Sequence, residues 1–326
     1  KTKPQQTGNP QQSLEQQQQQ SIASLESGQQ QFTNRLLQQI ESNTSTNFVL
    51  SPHSIHSVFS QLLQGSGGRT KAELENLLGV TASDSLVEQY RILGEGLSGE
   101  GFKQTNLRWR NGDVNAMVLV NAVYFKANWQ IPFNVRHTHS RNFNSPAGSK
   151  TAQFMTTIAK VRVLDDKERK LKILELPYEN PNRSMLIVLP DEEISTENIA
   201  KRLEGLDFTS IRTNEEPIVT AITIPKFELK FETDLEGQME PLGVRDLFSQ
   251  RSANLSGISN EHLQVFEVNE EGPEAAAANA VRSCPHEFIA DRPFLFIVYD
   301  FARGIRYLCL RVPREQKLYA LLNLGM

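Results

Sequence analysis

Between two segments that read as strands, Leu263–Val268 and Phe294–Tyr299, the chain carries Glu270-Glu271-Gly272-Pro273-Glu274 and then Ala275, Ala276, Ala277 and Ala278. An alanine run ordinarily favours helix. Here it follows Gly-Pro and its flanks are rich in β-branched and aromatic residues, so local propensity conflicts with its neighbours. Small side chains have a second use, because they enter a narrow slot between strands without clashing. A segment that is mobile outside a sheet and acceptable inside one has this composition.

The rest of the chain reads as α+β. Residues 1–27 hold two prolines, short Gln pairs and the run Gln16 to Gln20. Such a segment buries too little apolar area to offset the entropy of ordering, so a disordered arm acting as a spacer is expected. Order is expected from about Gln31, where Phe32, Leu36, Leu37 and Ile40 recur at helical spacing. A second helix follows Ser51-Pro52, and a third is expected over Thr70–Leu78, with Thr70 as N-cap, Glu73 three residues on and Gly79 as stop. Strands are expected at Val118–Phe125, Leu171–Leu176, Met185–Leu189, Ala221–Phe231, Leu263–Val268, Phe294–Tyr299 and Arg306–Val312, with helical pieces at Thr196–Leu206 and Asp234–Leu242. Helices come first and strands later, with no βα repeat to suggest a doubly wound sheet.

Composition closes off several classes of function. The 326 residues are 38% hydrophobic and 22% charged, which suits a soluble globular core. A formal charge of −4 argues against a predominantly electrostatic grip on nucleic acid. No apolar run approaches the roughly 20 residues that span a bilayer. Cys284 and Cys309 are too few for a disulfide scaffold or a four-cysteine zinc site, and two free thiols are expected, with one disulfide as the alternative. The sequons at Asn43, Asn182 and Asn254 are candidate glycosylation sites. The chain opens at Lys1 with no Met and no hydrophobic targeting segment, which fits a processed or trimmed chain.

The alanine segment and its surroundings resemble the serpins. The hinge reads Val268-Asn269-Glu270-Glu271-Gly272-x-Glu274 followed by the alanines, then Phe288-x-Ala290-Asp291-Arg292-Pro293-Phe294. Asn47-x-x-x-Ser51-Pro52-x-Ser54-Ile55, Gly65-Ser66-x-Gly68-x-Thr70-x-x-Glu73-Leu74 and Asn121-Ala-Val-Tyr-Phe-Lys-Ala-Asn-Trp129 fall in family order. So do Leu176-Pro177-Tyr178, Ser184–Pro190, Ile224-Pro225-Lys226-Phe227 and Leu242-Gly243-Val244-x-Asp246-Leu247-Phe248. The resemblance implies one α+β domain, residues 28–326, with a large central sheet, further sheets and flanking helices. It also implies an extracellular monomer that traps serine proteases. A reactive loop, about 270–287, offers a bait bond, and the protease attacks it to form an acyl-enzyme. The cut loop then inserts as a new strand. The protease supplies the catalytic residues, so the chain itself is expected to be no enzyme and to need no cofactor. Asn47, Ser51, Ser54, Asn121 and Trp129 stand where the family controls sheet opening, with plain packing as the alternative reading.

This sequence departs from the pattern in ways that bear on trapping. Family registry, counted from Gly272, puts the bait at His286 with Glu287 after it, almost on the following strand. Arg282-Ser283 is the chemically attractive bond, since Arg fills an acidic specificity pocket. Choosing it shortens the inserting strand by four residues, about 13 Å at ~3.3 Å per residue. Pro273 occupies a hinge position usually held by Ser or Thr, and proline removes a ladder donor. Between Gly79 and Asn121 the family carries a longer stretch, and Gly94–Gly101 and Arg108–Asp113 read as loop across that gap. The stretch Ser256–Glu270 looks shortened, and Tyr307-Leu-Cys-Leu-Arg311-Val replaces a glycine-containing version. The expected activity is inhibition of a trypsin-like serine protease around Arg282, with trapping weak or lost. A non-inhibitory binding or carrier protein is the alternative, and a splice form or faulty gene model that folds poorly is a third reading.

Other clusters read as bland. His137 and His139 alternate along an extended stretch, but no third metal ligand is near in sequence, and solvent-facing rings are expected. The same reading applies to His53 and His56, one helical turn apart. Lys167, Arg169, Lys170 and Lys172 are diluted by Asp165, Asp166 and Glu168, so a solvated charged loop is expected rather than a sulfated-polysaccharide site. No Ser-His-Asp order, phosphate loop or zinc motif is present in the sequence.

Overall fold

The apolar stripe Phe32, Leu36, Leu37 and Ile40 is buried as its spacing predicts, but the helix that carries it is longer than the sequence suggests. In the computed structural model, which describes residues 10–43, 48–83, 86, 89, 90, 102–105, 116–120, 122–125, 128–145, 148–191, 199–226, 235–249, 251–257, 264–269 and 286–312, helix α1 spans Pro10–Asn43. Over residues 10–27 a helix stands where a disordered arm is expected from the sequence; residues 1–9 lie outside the described residues. Leu25 is 1% exposed, and Gln29 and Thr33 are buried beside it. Glutamine is a good helix former, so once Leu25 docks the preceding residues continue the helix at little cost.

Strand β1 (Phe48–Leu50) leads to helix α2 (Pro52–Gly65), whose first turn Ser51 caps by accepting the Ser54 amide at 3.3 Å, with Pro52 in the first helical turn. Helix α3 (Gly68–Leu78) starts at the N-cap Gly67 rather than at Thr70. Thr70 lies inside it, buried, and its hydroxyl accepts the Asn254 amide at 3.0 Å. Glu73 takes Arg69 of the same helix on Oε1 at 3.1 Å, while its Oε2 accepts the amides of Arg245 and Asp246, each at 2.9 Å. The stop is as expected: Gly79 takes φ +65° and its amide reaches Glu75 O at 3.0 Å.

Strands β2 (Phe102–Thr105), β3 (Ala116–Val120) and β4 (Ala122–Phe125) follow, then the hairpin β5 (Thr138–Ser145) and β6 (Gly148–Val161). The sequence reading did not assign that hairpin. Its residues are largely polar and β6 is exposed over its first four positions, so no apolar alternation marks it. Strands β7 (Val163–Asp166), β8 (Leu171–Pro177), β9 (Arg183–Pro190), β10 (Ile218–Pro225), β11 (Gln264–Asn269), β12 (His286–Ile289), β13 (Phe294–Asp300) and β14 (Ile305–Val312) complete the set. The helical pieces Ile199–Arg202 and Leu235–Met239 end before the expected Leu206 and Leu242, and a further turn of helix lies at Ser210–Asn214.

The fold is α+β. An antiparallel six-stranded sheet runs β1-β14-β13-β9-β8-β7, and a four-stranded sheet runs β12-β10-β6-β5. Strands β9 and β13 are buried along their whole length, which is why they read as continuous apolar runs. Helices α1 and α2 pack on β14 and on each other. Among the described residues, β11-β3 and β2-β4 form two further two-stranded sheets, and β11 leads into the alanine segment.

Candidate functional site

Strand β11 ends at Asn269 and strand β12 begins at His286. The sixteen residues between them, 270–285, include the hinge Glu270 to Ala278 and the candidate bond Arg282-Ser283, and they lie outside the described residues. What the structure does define is where that segment leaves and where it returns.

At its departure, β11 pairs directly with β3 in parallel, from Gln264 opposite Ala116 to Asn269 opposite Val120, with a register slip between Val265 and Glu267. A chain that leaves Asn269 and doubles back runs antiparallel to β11, and therefore antiparallel to β3 as well. Placed between them, it would replace one parallel ladder by two antiparallel ladders. Antiparallel pairing is the slightly more stable arrangement per residue, and each added ladder satisfies backbone groups. One residue, Asn121, separates β3 from β4, and β4 pairs antiparallel with β2 from Ala122 opposite Thr105 to Phe125 opposite Phe102. Asn121 itself lies outside the described residues, as does Asn47.

At its return, β12 pairs in parallel with β10: His286 faces Thr220, Glu287 faces Ala221, and the ladder continues to Ile289 opposite Thr223. Phe288 and Ala290 anchor it in the core, whereas His286 and Glu287 are exposed. The backbone of the second candidate bond is therefore part of a sheet. Strand β12 begins at His286, the residue at which family registry leads one to expect the bait.

The aromatic ring of Trp129 is buried. It stacks on Tyr178 with centroids 4.7 Å apart and planes 12° apart, and meets Phe133 edge-on at 6.2 Å. Backbone bonds Gln130 N–H to Pro177 O and Glu179 N–H to Asn128 O, both 3.0 Å, zip the two segments together. Its indole nitrogen has no hydrogen-bond partner among the described residues. Ser51 and Ser54 are both buried at the start of α2.

His53 and His56 require a correction: they are not solvent-facing but buried in the core between α1 and α2. They share a polar cluster with Gln29, Ser60 and Tyr90, in which Tyr90 accepts from Gln29 Nε2 and from the Ser60 hydroxyl, each at 3.3 Å. Burial drives His53 down to about 3, helped by His56 and Arg303, and drives His56 down to about 4 against a raising contribution from the Leu78 carbonyl. Helical amphipathicity hid this, because a histidine on an apolar face is placed by tertiary partners such as Tyr90, far along the chain. His137 ends a short 3-10 turn, half-buried, and His139 is exposed on β5. Among the described residues no group of three metal-ligating side chains exists.

The basic stretch after β7 is internally paired: Lys167 with Asp165 at 2.7 Å, Arg169 with Asp166 at 3.1 Å and Lys172 with Asp165 at 4.0 Å. Among the sequon residues, Asn182 and Asn254 are exposed and Asn43 ends α1. Cys309 is buried on β14, while Cys284 lies outside the described residues. Among the described residues no helix is long and apolar enough to cross a membrane.

Comparison with known proteins accords with this geometry. A family model described as Serpin (serine protease inhibitor) matches residues 27–113 and 108–311. Serpin B8 of Bos taurus is 37% identical over 199 residues, 56% of this chain and 53% of that protein. Leukocyte elastase inhibitor of Bos taurus is 37% identical over 204 residues, covering 56% of this chain and 54% of that protein. The chain thus spans about half the length of the curated relatives it matches. In fold, the crystal structure of Manduca sexta serine protease inhibitor (serpin)-12 superposes with a TM-score of 0.76 at 23% identity, covering 87% of this chain and 97% of that one. A Schistosoma haematobium serpin superposes with a TM-score of 0.73 at 22% identity, covering 87% of this chain and 98% of that one.

Proposed function

This chain belongs to the serpin family, and from that premise we propose that residues 270–285 are a bait loop for a trypsin-like serine protease, cut at Arg282-Ser283. The protease serine attacks the Arg282 carbonyl, the Arg282–Ser283 bond breaks, and the released Ser283 amine takes the proton. Two fates then compete: water hydrolyses the acyl bond, or the free loop inserts between β11 and β3. The protease contributes all the catalytic groups.

The observation that carries this reading is the parallel β11-β3 pair with the alanine segment attached directly to its end. For insertion, a tight reversal at Glu270–Gly272 would have to bring Pro273–Ala278 alongside the six residues of β11. Small side chains suit a strand that enters between two others, and those six positions are proline, glutamate and four alanines. The alternative bond, His286-Glu287, fits less well, because a protease needs an extended, accessible peptide and this one is held in the β10-β12 ladder.

Trapping is proposed to be weak, so that the chain behaves chiefly as a substrate. Pro273 leaves one ladder acceptor unmet, at about 1–3 kcal/mol if buried, and each 1.4 kcal/mol on the insertion barrier slows insertion about tenfold. Cutting at Arg282 also leaves less chain to insert. The comparisons lend no support to secretion or glycosylation, and neither is part of the proposal.

Trypsin titration tests it, read by SDS gel, by mass spectrometry of the fragments and by the melting temperature of the product. The expected result is one cut after Arg282, no SDS-resistant complex and little gain in melting temperature. A complex that survives SDS overturns weak trapping, and a cut elsewhere overturns the bait assignment.

A further inference from the structure

Strand β5 is the outer strand of the four-stranded sheet, at the edge opposite β12. Its ladder to β6 runs from Thr138 opposite Met155 to Ser145 opposite Gly148. The amide of Asn144 turns the other way and donates to the Asp291 carbonyl at 2.7 Å. Backbone direction repeats every second residue, so Ser140 and Asn142 present their N–H and C=O groups to that same side. Among the described residues neither amide has a backbone acceptor there, whereas the Thr138 amide is already taken by the Val135 carbonyl.

Asp291 occupies the end of this edge. Besides its carbonyl on Asn144, it sets Oδ2 3.6 Å from Arg141 and Oδ1 3.4 Å from Arg292, so one carboxylate is divided between two guanidiniums. His139 and Arg141 lie on one face of the hairpin, and Lys150, opposite Phe143, joins them from β6. Among the described residues Lys150 has no carboxylate within ion-pair distance. No aspartate or glutamate occurs from Asn128 to Leu164, although the chain as a whole carries −4. The other face of the hairpin is uncharged: Ser140 accepts from Gln153 at 2.8 Å and Asn144 from Ser149 at 3.0 Å. At the entry to β5, Val135 is 61% exposed.

We propose that the free edge of β5 takes up an extended acidic segment of another protein as an added strand, its carboxylates facing His139, Arg141 and Lys150 and an apolar residue covering Val135. Asp291 shows the recognition on a single residue, with its carbonyl on the edge and its carboxylate toward Arg141. In strand addition the main-chain bonds supply affinity and the alternate side chains supply specificity. A second copy of this chain is the poorer occupant. Two β5 strands joined antiparallel at Ser140 set His139 against Arg141 and bring two basic faces together. The edge lies across the sheet from β12, so the inference is independent of the bait loop.

The probe is a fluorescein-labelled hexapeptide of alternating glutamate and valine, titrated into the full chain and read by fluorescence anisotropy. Saturable binding is expected. The same peptide with every backbone amide methylated, and a lysine–valine counterpart, should each bind at least about tenfold more weakly. Ser140→Pro removes an edge donor while leaving the β6 ladder in place, and Arg141→Gln removes a charge. Each is expected to weaken the acidic peptide at least about tenfold. If Ser140→Pro does not fold, the methylated peptide and Arg141→Gln decide. No saturable binding, equal affinity for the methylated or the lysine peptide, or unchanged affinity in Arg141→Gln each overturns the proposal. A concentration-dependent dimer in sedimentation that Ser140→Pro abolishes assigns the edge to a second copy, and overturns it as well.

Discussion

Nε2 of His56 lies 2.9 Å from the Leu78 carbonyl oxygen, while Nδ1 of the same ring closes on the Tyr90 hydroxyl. A carbonyl only accepts, so Nε2 carries the proton and Nδ1 is left as acceptor for Tyr90 O–H. The core between α1 and α2 is thus built around a neutral imidazole. Its neighbour His53 sits 3.4 Å from Gln29 Oε1, in the same network.

This network makes stability depend on pH with a definite sign. Both histidines have native values, about 3 and about 4, below their ordinary 6.5, so the unfolded chain binds more protons between those limits. Their stabilisation is complete above pH 6.5 and is lost as pH falls toward 4 and then 3. Urea midpoints taken from pH 7.5 to 4.5 should fall, and His56→Gln should flatten that slope. A midpoint that is level down to pH 4.5 in the parent chain would contradict the buried neutral pair. Tyr90→Phe, which leaves Nδ1 only the longer Ser60 hydroxyl contact at 3.4 Å, should cost about 1–3 kcal/mol at neutral pH.

Asp300 is the hub of a second buried network. It is fully buried, accepts the amides of Ala302 and Arg303 at 3.0 and 3.1 Å, and pairs with the buried Arg183 at 3.3 Å. Asp300→Ala strands that cation in the core and is expected to cost about 3–5 kcal/mol in urea unfolding. Combining it with Arg183→Met should cost less than the two single losses added together, and strict additivity would show that the pair is not coupled.

Gly79 shows what the sequence exposes well and what it hides. A glycine after an apolar helical stripe predicts a left-handed stop, and φ +65° follows. Ser51-Pro52 predicts a helix start for equally local reasons. Thr70 and Glu73 have the spacing of a local cap, yet they bind Asn254, Arg245 and Asp246, about 170 to 180 positions away in sequence. The β5-β6 hairpin lacks apolar alternation because much of it faces water. For the loop, residues 270–285 carry the family pattern in their side chains, whereas its geometric meaning comes from the β11-β3 pairing, which no local window contains.

Gly79→Ala tests the local part. Besides its positive φ, a Cβ there would sit 3.2 Å from the Gly28 Cα, so strain and crowding act together. A loss of about 1–3 kcal/mol is expected in urea unfolding, and a neutral result would mean that α1 and the end of α3 can separate freely.

The hinge proline is the sharpest test of the proposed function. Pro273 contributes no N–H and cannot complete a ladder bond on whichever strand it faces. Pro273→Thr restores the donor and a β-favouring side chain without touching Arg282, so the protease should cut at an unchanged rate. The branch point should move, however, because only insertion uses the restored bond. A gain of about 1.4 kcal/mol on that barrier gives about a tenfold larger share of acyl-enzyme captured as SDS-resistant complex. If Pro273→Thr leaves the share unchanged while the cut stays after Arg282, the length of loop left after cleavage limits trapping, not the proline. Inserting four residues between Ala278 and Arg282 in the Pro273→Thr background should then restore the complex.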